Sequence, residues 1–545
     1  MQTSVLSELP SELLLHLLSF LSLSSLLSLS RTNSSFHSLI QSSLLPRFAL
    51  LRLNYSPATL AHLHYQSRWT WGRKASWAER IDEKWRRNEF TGVSFGSWER
   101  SMPLMRLWGV ERGTEGVLIA RGAGMEWWVA RDLRGTMNRV EVVVRGLHEE
   151  QTGRNGVRRT KTNAMDDITA LAEGARVGEI IVSRVSGIVQ RLRVRYSGGG
   201  GGSIVLEEVA RYTIPHSDLA RPGSTAVQAL ASSPSSNLLV TASTTRLRPP
   251  NPRQVDFDEN DSLAHALMKR SAPKTHSISI HSIVSPWEPP STIPLSSKPW
   301  SVQLAPGSSS SPSWIAIGQS GTQPLSLVQL DSTGTPNLDT VRPLARTSKP
   351  TSVYSLTTPS IDCSPFLRPD ETLIAAFFDS TTRIYDLRTP ASSSSSLVRV
   401  SDWNDEGSNA GNEVMRLSDP WSDDPSYSVA SGGPLGASIV VGSARNSAIR
   451  IFDIRKPTQP HDRQGGGITA FGPRGDRSPV YGLAIENSRI WAVTERKGFV
   501  FNYHADERDG MGEESIAFVR HEGEGKGELR KTGGREGRGK RVVEL

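Results

Sequence analysis

Cysteine is almost absent: the 545-residue chain has one, Cys363. A lone thiol excludes an intrachain disulfide and any multi-cysteine metal site, and it fits a reducing compartment, the cytoplasm or nucleus. Long apolar runs are missing too. The leucine-rich stretch from Leu13 to Leu29 is broken by serines every few residues, contains His16, and is preceded by Glu8 and Glu12 with no basic segment before it. A membrane span needs roughly 20 mainly apolar residues, so the stretch reads as neither a membrane helix nor a signal peptide. Charge of one sign is not concentrated either. The formal net charge of +8 is spread over the whole length, whereas a nucleic-acid binder gathers its charge on one face. Nucleic acid and membrane are therefore not the expected partners.

Catalytic patterns are also lacking. The histidines are scattered without metal-ligand spacing, and no Gly-x-Ser-x-Gly elbow carries partner residues. The run Gly534 to Lys540 has the spacing of a phosphate loop, but Arg541 stands where a Ser or Thr is needed and no apolar strand precedes it. The pair Asp166-Asp167 reads as a solvated turn before a strand. No catalytic residue, cofactor or metal is expected, and the chain reads as non-catalytic.

What is present begins with the helical segment Leu9-Pro10-Ser11-Glu12-Leu13-Leu14-Leu15-His16-Leu17-Leu18-Ser19-Phe20-Leu21. Pro10 suits a first helical turn, and Glu12 lies near the positive end of the helix dipole. Leu13, Leu14, Leu17, Leu18 and Leu21 recur at helical spacing, with Leu15 and Phe20 on another side. A second short helix starts near Ser24 or Ser25 with Leu26, Leu27 and Leu29, and a third carries Phe36, Leu39 and Ile40. Three helices this short cannot bury so much leucine among themselves, so something else must cover the remainder.

These residues resemble the F-box family: Leu9-Pro10, an acidic Glu12, the pairs Leu13-Leu14, Leu17-Leu18 and Leu26-Leu27, then Phe36 with Leu39-Ile40, in order and spacing over about residues 7–45. His37 and Ser38 stand where a second aromatic or basic residue often occurs. The resemblance implies docking to a Skp-type adaptor, and through it to a cullin, by Leu9, Pro10, Leu13, Leu14, Leu17, Leu18, Leu21, Leu26, Leu27 and Phe36.

Residues 46–92 read as a helical linker. Ser76-Trp77-Ala78-Glu79 has the pattern of a capping box, which predicts a helix starting at Ser76. Trp77, Ile81 and Trp85 then form one stripe, expected to pack on the following domain.

From about residue 93 to 520 short β-like runs alternate with Gly, Pro and Ser. Thr372 to Arg388 and Ser438 to Arg455 align: an apolar strand, a turn with Asp379 or Asn446, and a second strand ending in Tyr385-Asp386-Leu-Arg388 or Phe452-Asp453-Ile-Arg455. These segments resemble WD repeats. Weaker copies by their first strands predict seven blades, starting near residues 100, 166, 225, 299, 350, 426 and 479, closed into an all-β propeller. The resemblance places the residue before the turn Asp or Asn on the binding surface, here Phe378 and Arg445. The expected organisation is thus a small all-α F-box module (1–45), the linker, a WD-repeat-like propeller (93–520) and a disordered tail (521–545).

The pairing of these two modules resembles substrate receptors of Skp–cullin–F-box ubiquitin ligases, whose propeller holds a protein substrate, phosphorylated or not. A scaffold without ligase function is the rival reading, and an RNA- or chromatin-binding propeller a third.

Polar stretches without apolar periodicity interrupt the blades at Gly146–Asn163, Arg246–Lys274 and Thr389–Asp424, and Gly198–Gly202 reads as a hairpin tip. Limited proteolysis followed by mass spectrometry should find the earliest cuts within Arg246–Lys274, Thr389–Asp424 and after His521. Early cuts within Leu373–Tyr385 would contradict the blade assignment.

Overall fold

The computed structural model describes residues 9–18, 20–46, 70–87, 89–96, 98, 102–111, 114–130, 137–144, 167–196, 204–212, 214, 220–247, 274–306, 314–331, 334–359, 368–388, 412–419, 422–433, 436–455, 467–473, 477–486, 489–503, 530–533 and 541–544. The phosphate-loop-like run between 534 and 540, most of the linker before residue 70, and most of the polar interruptions lie outside these residues, as does Asp166.

Three short helices open the chain: α1 (Ser11–Leu18), α2 (Leu23–Leu29) and α3 (Ser34–Leu39), the last continuing into a π-helical turn over Ile40–Leu44. Polar caps set their starts. The Ser22 hydroxyl accepts from the Ser25 N–H at 3.2 Å, and the Asn33 side chain accepts from the Ser35 N–H at 2.8 Å, each satisfying a donor that the helix itself leaves open.

A longer helix, α4, spans Trp71–Arg87. It begins five residues before the serine that the capping-box pattern predicted as its N-cap. Ser76 lies inside the helix, and its hydroxyl donates to the Gly72 carbonyl one turn back at 2.9 Å. A helix interior can satisfy a serine locally in this way, so the pattern alone does not mark a start.

The remainder is a propeller. Seven inner strands begin at Leu104, Ile168, Ala220, Pro299, Thr351, Ser426 and Val480, close to the seven predicted starts. Each opens an antiparallel four-stranded blade. Neighbouring inner strands touch all the way round, including that of blade 7 against that of blade 1. The ring is sealed by a strand that sequence reasoning did not assign. Thr91–Phe95, upstream of blade 1, pairs antiparallel with Gly498–Asn502 as the outer strand of blade 7. First and last parts of the domain thereby share one sheet, and neither inner edge is left open.

Two further details correct the sequence reading. Glu413–Leu417, inside the stretch Thr389–Asp424 taken as loop, is the outer strand of blade 5, and Leu417 is buried. The tail expected to be disordered carries a short hairpin, Arg530–Gly533 with Arg541–Glu544.

The repeat residues work as their chemistry requires. The Asp379 carboxylate accepts from the Thr381 N–H at 3.1 Å and the Thr381 hydroxyl at 2.6 Å, and pairs with Arg383. Asn446 holds a left-handed turn at φ 62°, a conformation that asparagine tolerates. Tyr385 and Phe452 are buried among residues of adjoining blades, and the strands Thr372–Phe377 and Ser438–Ser443 are buried along their whole length. Each blade stacks on two neighbours, which is why these strands are apolar on both faces.

Blade 3 buries His281, whose Nε2 lies 3.4 Å from the Thr241 hydroxyl and whose ring meets Tyr212 edge-on at 5.8 Å. Burial pushes its pKa down to about 4, below the ~6.5 of an exposed histidine. The unfolded chain binds the proton first as pH falls, so this contribution to stability is complete above about pH 6.5 and is lost between there and pH 4. Between pH 7 and 5 the loss should be about 2 kcal/mol. Urea denaturation at the two pH values should show a smaller drop for His281→Gln than for the wild type; an equal drop would assign the pH dependence to other groups.

Candidate functional site

Two surfaces stand out, one on the helical module and one on the propeller. The first is on the helical module. Leu14, Leu18, Leu23, Leu26, Phe36, Ile40, Leu44 and Leu45 form its core together with Ala75 of α4. Of the ten residues predicted to dock an adaptor, Leu14, Leu18, Leu26 and Phe36 therefore lie inside the module, and Leu9 and Leu27 are half-buried. Pro10, Leu13, Leu17 and Leu21 are exposed. Leu13 keeps 54% of its surface and Leu17 50%, one helical turn apart, and Phe20, which the helical pattern placed elsewhere, keeps 76%. Phe20 stands edge-on to His16 at 5.1 Å. The chain leaves helical geometry after Leu18, so the angular position that helical spacing assigns to Phe20 does not apply.

The module is tied to the propeller through α4. One end of this helix contributes Ala75 and part of Trp71 to the helical core. The other end inserts Trp77, Ile81 and Trp85 into a core built from Val440, Ile449 and Ile451 of blade 6 and Val480, Ile490, Phe499, Phe501 and Tyr503 of blade 7. Trp85 stacks on Tyr503 with ring centroids 4.0 Å apart and planes 11° from parallel. Beside it, the buried Asp82 carboxylate lies 3.5 Å from the Arg455 guanidinium and also pairs with Arg86. Arg455 is itself held by Asp453 at 2.9 and 2.8 Å. The aromatic-Asp-aliphatic-Arg signature of blade 6 thus anchors the helix. The tryptophan stripe is packed, as its spacing predicts.

The second surface is at the end of the ring where the inner strands begin. In blades 4 to 7 the inner strand bulges near its start, and the residue that steps out of the ladder is aromatic each time: Trp300, Tyr354, Tyr427 and Tyr481. The corresponding bulge residues of blades 2 and 3 are Thr169 and Gln228. A bulge re-aims the side chain it carries, and here it brings the rings together across blade boundaries. Trp300 and Tyr354 lie 4.9 Å apart, Tyr354 and Tyr427 stack at 4.7 Å, and Tyr427 meets Tyr481 edge-on at 5.6 Å. All four remain partly exposed.

Hydrogen bonds from the bulge fix this collar. The Ser301 hydroxyl donates to the Val353 carbonyl at 3.0 Å, and the Ser428 hydroxyl to the Val480 carbonyl at 2.8 Å, each reaching the next blade. The Trp300 indole N–H donates to Ser320 at 2.7 Å. Burial raises the phenol pKa of Tyr354 and of Tyr427, which keeps both rings neutral donors.

Of the two residues predicted on this face, Phe378 joins the collar, 47% exposed and edge-on to Tyr354 at 5.6 Å. Arg445 is on the matching turn of blade 6, where its guanidinium lies 3.6 Å from Asp424. The collar aromatics escaped the sequence reading, although the signal existed: an aromatic at the second or fourth position of the first strand in four successive repeats.

Residues 6–49 match the F-box-like family. No curated protein sequence matches the chain. Among solved structures, the chain is similar to the crystal structure of Chaetomium thermophilum Sqt1 bound to the N-terminus of the ribosomal protein L10, at 12% identity and a TM-score of 0.42, over 76% of this chain and 100% of that one. The helical module is thus F-box-like over residues 6–49, and the strand order by itself makes the remainder an all-β, seven-bladed propeller. Among the described residues no helix is long and apolar enough to cross a membrane, and no group of three or more His, Cys, Asp or Glu side chains is arranged to hold a metal.

The packing of α4 makes a specific demand. Trp85→Ala removes the stacked ring from a fully enclosed position and should lower stability by about 3–5 kcal/mol. Urea denaturation followed by tryptophan fluorescence and by circular dichroism would measure it; a loss below about 1 kcal/mol would mean that the helix is not part of the propeller core.

Proposed function

We propose that this protein is the substrate-recognition adaptor of a cullin–RING ubiquitin ligase, acting in the cytoplasm or nucleus without catalytic chemistry of its own. The F-box-like helices hold a Skp-type adaptor, and the collar face of the propeller holds a protein partner. The observation that carries the reading is the unsatisfied apolar face of the F-box-like module. Its core is complete without Leu13, Leu17, Phe20 and Leu21, yet these four side chains, all within the stretch 13–21, remain exposed to solvent. Burying one such side chain contributes roughly 1.5–3 kcal/mol, enough in combination for a stable contact.

The geometry suits a templating role. α4 ends at the side of blades 6 and 7 where the Asp453 and Asn502 strand ends lie, and the collar occupies the end where inner strands begin. A partner on the collar and an adaptor on the helices do not compete for surface, and α4 holds them at a set separation. Tethering then replaces a bimolecular encounter with a local one.

The rival reading is a scaffold in which the helices only pack. The discriminating variant is Leu13→Asp with Leu17→Asp. Both side chains are outside the module's core, so the fold should survive, whereas Leu27, half-buried against α4 near Gly72, would confuse docking with folding. Co-purification of a Skp-type adaptor and cullin should fall at least about tenfold, since an unpaired charge would be buried at the contact. Retention of both at wild-type levels would favour the scaffold.

A further inference from the structure

The collar's shape and its uneven surroundings restrict what it can hold. Its rings touch one another, so there is no slot between them for an inserted side chain. They present a continuous platform instead. A flat, rigid, apolar group is the natural complement, and a proline-rich segment supplies a series of them. Such a segment is already extended in a polyproline II helix, which lowers the ordering cost of binding. Its backbone carbonyls are unpaired acceptors, and the neutral phenols of Tyr354 and Tyr427 are donors placed among the rings.

The charge around the platform is graded. At the blade 3–4 side, the Lys298 ammonium lies 3.5 Å over the Trp300 ring, and Lys274 begins the neighbouring strand of blade 3. Burial and then Lys274 hold the Lys298 pKa down, while burial, Lys274 and Lys298 together depress that of His276. The Lys274 and Lys298 ammonium groups repel one another. At the blade 5–6 side the same end of the ring carries Asp379, Asp423 and Asp424, of which Asp379 pairs with Arg383 and Asp424 with Arg445, so that side holds both signs of charge. A polyanion charged at every unit would meet these carboxylates. A segment that is acidic only at one end would not.

We infer that the collar binds an extended proline-rich segment of a partner protein, its prolines on Trp300, Tyr354, Tyr427 and Tyr481 and its acidic end against Lys274 and Lys298. This rests on the collar being the partner-binding face, and it names what that face selects. Phosphorylation of the partner is not required.

Fluorescence anisotropy with the full-length protein tests it. The probes are a labelled peptide of glutamates followed by prolines, the same peptide with lysines for the glutamates, a phosphoserine peptide without proline, and oligouridylate. The glutamate–proline peptide should bind best, and the lysine version at least about tenfold more weakly. Tyr427→Ala should weaken the first peptide by a similar factor. Lys298→Glu, a change in a partly exposed side chain that leaves the rings in place, should reverse the preference between the two proline peptides without moving the thermal unfolding midpoint. The inference is overturned if the glutamate–proline peptide does not bind, or binds with no change in both variants. It is equally overturned if the phosphoserine peptide or oligouridylate is preferred, the latter marked by steep salt dependence. Adaptor co-purification, measured on the same variants, should be unchanged. Its failure in the wild type would count against the ligase reading alone, and peptide failure with adaptor retained would count against this inference alone.

Discussion

Trp85 lies flat on Tyr503, with the buried Asp82–Arg455 pair beside it, and everything about the relation between the two parts depends on that contact. A charge as enclosed as Asp82 is tolerated only with a partner, and Arg455 is offered in fixed geometry because Asp453 already grips it. The cost of burying the pair is offset within a core that also contains Trp77 and Ile81. Since α4 belongs to the helical core at its other end, its 17 residues, about 25 Å of helix, become a spacer with both ends fixed.

Ring closure works with the same economy of chain. Thr91–Phe95 follows α4 almost directly and completes blade 7, so the helix enters the propeller at its seam. Phe90, at the junction, packs on Phe501 at 4.5 Å. The strand that seals the ring and the helix that carries the F-box-like module are therefore stabilised by the same blade. Loosening one would loosen the other, which ties the position of the F-box-like module to the integrity of the propeller.

On the far end, the inner-strand bulges turn a repeat into a surface. A regular strand alternates its side chains between two faces, and in a propeller both faces meet a neighbouring blade. One extra residue per strand frees a side chain from that alternation, and the serine after it in blades 4 and 6 latches to the next blade. Aromatics at these positions in blades 4 to 7, but Thr169 and Gln228 in blades 2 and 3, make this end of the ring chemically one-sided although its blades repeat one strand pattern.

Much of this architecture was legible in the amino-acid order. The leucine spacing, the two strong Asp-x-Arg repeats and the seven blade starts follow from periodicity and turn chemistry, which are local. The start of α4 misled because Ser76 meets a local pattern equally well inside a helix. The sealing strand Thr91–Phe95 was hidden because its partner is some 400 residues away, and no local signal encodes such a pairing. The division of the leucines was hidden for a similar reason. Spacing placed Leu13, Leu14, Leu17 and Leu18 on one side, and only packing against α2, α3 and α4 buried Leu14 and Leu18 while leaving Leu13 and Leu17 in solvent. By itself the sequence determined most of the helices, the inner strands of the blades and which residues repeat, because those depend on neighbours along the chain. Tertiary structure alone decided which apolar side chains remain available to a partner, because exposure depends on what folds back over them.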